Sequence, residues 1–289
     1  MTKINKKNIG IVALAGVLQK ETLLAGANYL TSLGFNVKIA PSCFDESRIF
    51  NPENDEARAR ELINFFKDDD IEIILNMRGG YGSNRIFKYI KDFEFIKYPK
   101  IFIGYSDITY IHILLNQKHG LKTYHGPMIT DLLTKNKKSI NSFLEIAINN
   151  NPLTLKGIHF LNPYNCLIEG TVVGGNLSII CSTLATDNEI DTRGKILFIE
   201  DVNEDAYKID RMLMQLKYSN KLEGCIGIII GDFSGSNEKD IYDTILKMLL
   251  PLNVVVATGI LAGHSSPNLT IPLGGHCVMD CLRQELRFE

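Results

Sequence analysis

Up to Lys118 the chain alternates short apolar runs with segments of helical periodicity, and this order restricts it to a sheet of mainly parallel strands with helices on its faces. Residues 9–15, 36–39, 71–76 and 101–103 read as strands, and residues 22–33, 54–66, 85–90 and 108–118 as helices. Gly34 closes the first helix, where a left-handed residue is wanted, and Asp55 and Glu56 sit near the start of the second, where negative charge suits the helix dipole. In a doubly wound sheet of this kind, ligands collect at the carboxyl ends of the strands. Lys3, Lys6 and Lys7 precede an apolar run at 9–18, as in a secretory leader. No small-x-small cleavage site follows directly, and the run continues into a helical pattern, so it reads as the first buried strand.

The texture changes between Lys135 and Pro152, where lysines and asparagines flank a short amphipathic helix at 140–148. Three regions are therefore expected: an α/β domain over 1–135, a linker over 136–164 and a second domain over 165–289. The second domain should be a smaller, β-rich mixed α/β unit. Its strands are expected at 166–173, 196–199, 225–230, 254–258 and 278–279, and its helices at 205–216 and 241–250.

A net charge of −2 with no basic block argues against nucleic acid or an anionic membrane surface as the main partner. No apolar stretch is long enough to span a bilayer. The six cysteines (Cys43, Cys166, Cys181, Cys225, Cys277 and Cys281) lie in apolar contexts without the spacing of a disulfide framework, as expected of reduced thiols in the cytoplasm. His276, Cys277 and Cys281 lack a fourth ligand and a C-x-x-C partner, so no metal is expected.

Chemistry concentrates at a few turns. The strand at 101–103 runs into Gly104-Tyr105-Ser106-Asp107, and a helical pattern follows at once. A serine nucleophile needs this strand–turn–helix context, because the tight turn lifts its hydroxyl above the sheet and the next N–H faces a developing oxyanion. Ile108 occupies the place of the second glycine in the full G-x-S-x-G motif, and Ser106 could equally cap the helix. Arg78-Gly79-Gly80-Tyr81-Gly82 follows the strand at 71–76. Such a loop can cradle phosphate, supply an oxyanion donor or simply turn the chain, though neither a dinucleotide nor a Walker pattern is present.

A serine also needs a base, and the base an orienting acid. His112 and His119 fall on or at the end of the helix after Ser106, where packing or capping is the expected role, His159 falls in an unpatterned loop, and His276 is near the last strands. His264, on a Gly/Ser/Pro loop after the strand at 254–258, and His125, before Gly126-Pro127, remain as candidates. Glu200 and Asp201 end an apolar strand abruptly, which places an acid at a strand terminus.

Taken together, these pieces resemble the LD-carboxypeptidase family, serine peptidases that include muramoyltetrapeptide carboxypeptidases and microcin C self-immunity proteins. The matching segments, in the family's order, are Arg78–Gly82, Gly104–Thr109, His125–Pro127, Gly174–Leu177, Leu197–Val202 with Tyr207–Arg211, and Gly263-His264 with Pro272–Gly274. The resemblance implies that Ser106 is the nucleophile, His264 the general base and then acid, and Glu200 its orienting group. It also implies that the N–H groups of Gly80 and Asp107 form the oxyanion hole, at an interface between the two domains. The expected reaction is hydrolysis, through an acyl-enzyme, of the amide between an L-centre diamino acid and the terminal D-alanine of a murein tetrapeptide. Arg78, Tyr81 and Asn176 are placed for substrate contact, no cofactor is implied, and the family is often dimeric.

The loop Ala15-Gly16-Val17-Leu18 departs from the Pro/Ser turn of relatives, which puts that rim of the pocket in question. The chain has no tryptophan to stack on a base, which tilts the expectation from aminoacyl-nucleotide toxins towards murein peptides. A non-catalytic protein binding a small ligand in the cleft is the third reading.

Overall fold

The computed structural model describes residues 7–45, 52–149, 153–162 and 167–289. The expectations placed on Lys3, Lys6, Cys166 and residues 150–152 lie outside this set.

Two sheets organise the chain. The first has six strands in the order Ile271–Leu273, Thr123–His125, Ile101–Gly104, Ile73–Asn76, Asn8–Val12 and Asn36–Ile39. All neighbours are parallel except the edge strand Ile271–Leu273, which runs antiparallel to Thr123–His125. The five parallel strands follow the doubly wound order 2-1-3-4-5, with a topological switch point between the first and third. There the loops after Val12 and Asn76 leave the sheet in opposite directions and open a crevice. Fully buried runs such as Ile73–Asn76 mark strands covered by helices on both faces.

The second sheet has eight strands: Leu153–Lys156, Glu285–Phe288, His276–Asp280, Leu167–Asn176, Ile196–Val202, Gly227–Ser234, Val255–Thr258 and His159–Leu161. Its central strands, from Leu167–Asn176 to Val255–Thr258, are parallel, and antiparallel strands extend both sides. Helices Ala206–Tyr218 and Glu238–Leu249 pack on one face through Ile209, Leu213, Leu216, Ile241, Ile245 and Leu249.

The two-domain expectation needs correcting at its seams. The stretch 136–164 is not a free linker. Helix Lys137–Leu144 buries Ile140 and Phe143 in the core of the first domain, and strands Leu153–Lys156 and His159–Leu161 form opposite edges of the second sheet. His159 is therefore in a strand rather than a loop. In the other direction, Ile271–Leu273 returns from late in the chain to complete the first sheet. Pro272 fits there because an edge strand can do without one N–H.

A close approach of backbones fixes the middle of the second sheet. Gly174, at φ 131°, faces Phe198 so tightly that a Cβ would lie 1.9 Å from the Phe198 carbonyl oxygen. Gly174→Ala is expected to destabilise the fold by at least about 3 kcal/mol, since it combines a clash with a forbidden backbone angle. Urea unfolding measures this, and a wild-type midpoint would refute the close approach.

Candidate active site

Ser106 follows strand Ile101–Gly104 at φ 63°, a left-handed conformation that a serine adopts only when its surroundings impose it. Gly104 permits the turn, since a Cβ there would meet the Asn76 amide and Ile108 at 2.9 Å. His112 secures the strand end. Its Nε2 faces the Gly104 carbonyl and its Nδ1 the Thr123 hydroxyl, each at 2.8 Å, and burial pulls its pKa down to about 4. This histidine is neutral and structural. The hydroxyl of Ser106 caps neither the short turn Ser106–Ile108 nor helix Thr109–Gln117, so the capping role weighed for it is not one it fills.

Beside the turn lies the Gly-rich loop. A Cβ on Gly79 would sit 2.7 Å from Ser106 Cβ and 2.9 Å from its Oγ, so only glycine lets this loop approach the hydroxyl. Gly80 follows at φ 114°. Neither the Gly80 nor the Asp107 N–H enters a turn or loop hydrogen bond to the backbone among the described residues. The departing loop at Ala15-Gly16 serves as a support: Gly16 N–H donates to the Gly79 carbonyl at 2.9 Å, and buried Arg58 donates to the Ala15 carbonyl at 2.9 Å.

His264 comes from the second half of the chain. Gly263, at φ 143°, turns the loop and donates its N–H to Asn268 Oδ1 at 3.1 Å. His264 Nδ1 then meets Glu200 Oε2 at 2.8 Å. Glu200 is wholly buried within the strand Ile196–Val202, two residues before its last, and His264 reaches a cavity of about 230 Å³ that it shares with Ser106, Arg78, Gly79, Gly80, Tyr105, Met128 and Thr130. A carboxylate can only accept, so it holds the proton on Nδ1 and leaves Nε2 as the basic nitrogen. Burial opposes the His264 imidazolium, but the hydrogen bond and charge of Glu200, with Asp201 and Asp131 beyond, outweigh it and raise the pKa above 6.5. Burial likewise raises the Glu200 carboxyl, and the bond to His264 offsets part of that rise.

The alternative base, His125, is fully buried between Tyr105 and Phe198, with ring centroids at 5.6 and 4.9 Å, and burial keeps it neutral. Residues that the sequence did not flag complete the setting. The Tyr105 ring lies 4.8 Å from His264, edge to face, while its hydroxyl donates to Asp131 at 3.0 Å. Asp131 also accepts the Met128 N–H, which fixes the cavity wall. No local pattern links Tyr105 to Asp131, so only the fold reveals the pair.

The remaining predicted positions divide. Arg78 lines the cavity, whereas Tyr81 is an exposed residue of the adjoining loop and lies next to Arg85. Asn176 is not among the residues lining the cavity: buried, it caps helix Leu177–Thr183 by accepting from the Ile179 N–H at 3.2 Å, its amide donates to Asp201 at 3.0 Å, and it faces Glu200. Asn followed by an apolar helical run is an N-cap signal, and it was readable as such. The same corner docks the domains. Asn176 N–H donates to Thr109 Oγ1 at 2.9 Å, and Gly175 leaves room for that hydroxyl. Asp201 accepts from Asn176, Ser178 and the Val202 N–H and is spoken for. Among the described residues, no three His, Cys, Asp or Glu side chains gather as a metal would require. A larger cavity of about 370 Å³ opens between Asp69, Glu72, Lys100, Lys122 and Tyr124, and none of the residues lining it is a histidine, serine or cysteine.

A serine on a strained turn, approached from across a domain boundary by an acid-bound histidine, is the construction of a serine hydrolase. Similarity to known proteins narrows the class. The profile of the LD-carboxypeptidase N-terminal domain matches residues 9–126, and that of the LD-carboxypeptidase C-terminal domain matches residues 169–279. The probable murein peptide carboxypeptidase of Bacillus subtilis (strain 168) is 37% identical, over 94% of this chain and 88% of its own. The microcin C7 self-immunity protein MccF of Escherichia coli is 27% identical, over 93% and 88%. The crystal structure of muramoyltetrapeptide carboxypeptidase from Oxalobacter formigenes superposes with a TM-score of 0.85 at 29% identity, covering 98% of both chains. The chain belongs to the LD-carboxypeptidase family of serine peptidases.

Proposed function

We propose that this enzyme removes the terminal D-alanine from murein tetrapeptides, in the cytoplasm and as a homodimer, with Ser106, His264 and Glu200 as its triad. The observation that carries the reading is the 2.8 Å contact of His264 Nδ1 with buried Glu200, which leaves Nε2 free in the cavity that Ser106 lines. Nε2 takes the Ser106 proton as Oγ attacks the carbonyl carbon of the diamino acid. The Gly80 and Asp107 N–H groups receive the negative charge that develops on the carbonyl oxygen. Collapse of the adduct breaks the C–N bond, and His264 passes its proton to the departing D-alanine amine. Water, deprotonated by the same nitrogen, then hydrolyses the acyl-enzyme.

The substrate ends in a carboxylate. The cavity wall offers Arg78, whose Nη1 lies 3.5 Å from the Val17 carbonyl and which forms no ion pair among the described residues. Its charge suits that carboxylate, with a bidentate pair as the strongest form of the contact. The lack of any tryptophan favours a peptide over an aminoacyl-nucleotide as substrate. Mass-spectrometric assay of the purified protein with free tetrapeptides carrying lysine or diaminopimelate tests the proposal. Release of D-alanine is expected, with KM raised by at least about tenfold in Arg78→Ala and kcat less affected, because a buried-end carboxylate loses its partner. No release from either peptide, with turnover of an aminoacyl-sulfamoyl nucleotide instead, would replace the murein reading.

A further inference from the structure

We infer that the Asp107 carboxylate is the positioning group of the oxyanion hole: it holds the loop that carries the Gly80 donor, while the Asp107 N–H is itself the other donor. The inference rests on the serine carboxypeptidase reading above.

Asp107 is buried, and its Oδ2 accepts the Ser83 N–H at 2.8 Å. The Ser83 hydroxyl returns a bond to the Asp107 carbonyl at 2.5 Å. The Gly82 N–H faces the same carboxylate, and the charge of Arg58 lies behind it. One side chain therefore ties the nucleophile turn to the end of the Gly-rich loop.

The loop needs such a tie. Gly80 and Gly82 hold φ values of 114° and 126°, and glycines impose no such conformation by themselves. At its start the loop is fixed by the Gly16 N–H bond to the Gly79 carbonyl. At its end it is fixed by Ser83 on Asp107. Gly80 lies between these anchors, so the contacts of Asp107 fix one of the two ends that set the separation of the oxyanion donors. A neutral amide is a poorer replacement for the carboxylate, because it offers one acceptor oxygen in place of two and no charge to the N–H groups of Ser83 and Gly82 and the guanidinium of Arg58.

Asp107→Asn is therefore expected to lower kcat by about 10- to 100-fold with KM changed by less than about twofold, the cost of misplacing an oxyanion donor by a fraction of an ångström. Affinity for a peptidyl boronate, whose adduct on Ser106 is tetrahedral, should fall by the same factor as kcat, with affinity for the product peptide unchanged. A merely structural defect would not separate these two ligands. Ser83→Ala, which keeps the N–H bond and deletes the hydroxyl bond, should show a smaller loss of the same kind. The double variant should be no worse than Asp107→Asn alone.

Wild-type kcat in Asp107→Asn, or a loss through KM with boronate affinity intact, overturns the inference. If Asp107→Asn is insoluble, a folded Ser83→Ala with wild-type kcat and boronate affinity overturns it equally. Labelling of Ser106 by a fluorophosphonate separates the two levels. Equal labelling rates in wild type and Asp107→Asn remove the positioning role alone. A wild type that neither labels nor turns over removes the carboxypeptidase reading and this role with it.

Discussion

Ser106→Ala is expected to abolish D-alanine release, with kcat falling by about 10⁴- to 10⁶-fold and KM little altered, because triad members act as a unit. The fold should be unaffected by the loss of the hydroxyl, which caps neither the turn nor the helix that follows it. The φ of 63° at this position gives the variant a further signature: alanine has no more freedom there than serine, so the turn keeps its strain and melting should change by little. Single-turnover measurement with a tetrapeptide checks the effect. A loss of less than about 100-fold would show that another group attacks the carbonyl, since oxyanion stabilisation and binding alone leave only a small residual rate.

Glu200→Gln has the second largest effect, and its sign with pH is worked out from the His264–Glu200 pair. In the wild type, Glu200 raises the His264 pKa above 6.5, so activity should fall as pH drops through a midpoint above that value, where the base becomes protonated. Replacing the carboxylate removes the charge that supports the imidazolium while the burial that opposes it remains. The acid limb should therefore move to lower pH. At the same time kcat should fall by about 10³- to 10⁴-fold, because an amide no longer enforces the tautomer with Nδ1 protonated. A pH profile of kcat/KM for both proteins reads the shift directly. An unmoved limb would mean that the titrating group is not His264.

Much of this site was legible before the structure because its signals are local. The strand ending at Gly104, the Gly-x-Ser turn and the following helix lie within a few residues, and so do Glu200 at a strand end and Gly263-His264 on a glycine loop. By position alone His264 and His125 are both candidates, and the family resemblance selects His264; the fold adds the physical contrast between them. Both follow or end strands, and what separates them is that His125 is sealed between Tyr105 and Phe198 while His264 faces the cavity. Asn176 is placed near the substrate by its sequence position only, and its role as the N-cap of helix Leu177–Thr183 is what the fold adds. The Tyr105–Asp131 pair and the Ser83–Asp107 tie join residues distant in sequence, and no periodicity records such contacts. The domain seams failed for a related reason. Leu153–Lys156 and His159–Leu161 are short, half-exposed edge strands whose hydrogen-bonding partners, Glu285–Phe288 and Val255–Thr258, lie far away in sequence.

The return of Ile271–Leu273 to the edge of the first sheet has a consequence for synthesis. As the chain leaves the ribosome, the nucleophile emerges early and the first five strands can pair. The sixth must wait until most strands of the second sheet have been translated, and the loop carrying His264 immediately precedes it. The nascent chain thus exposes Ser106 long before His264 is made, so the cavity the two share can form only after the strands of the second sheet that precede His264 have been synthesised.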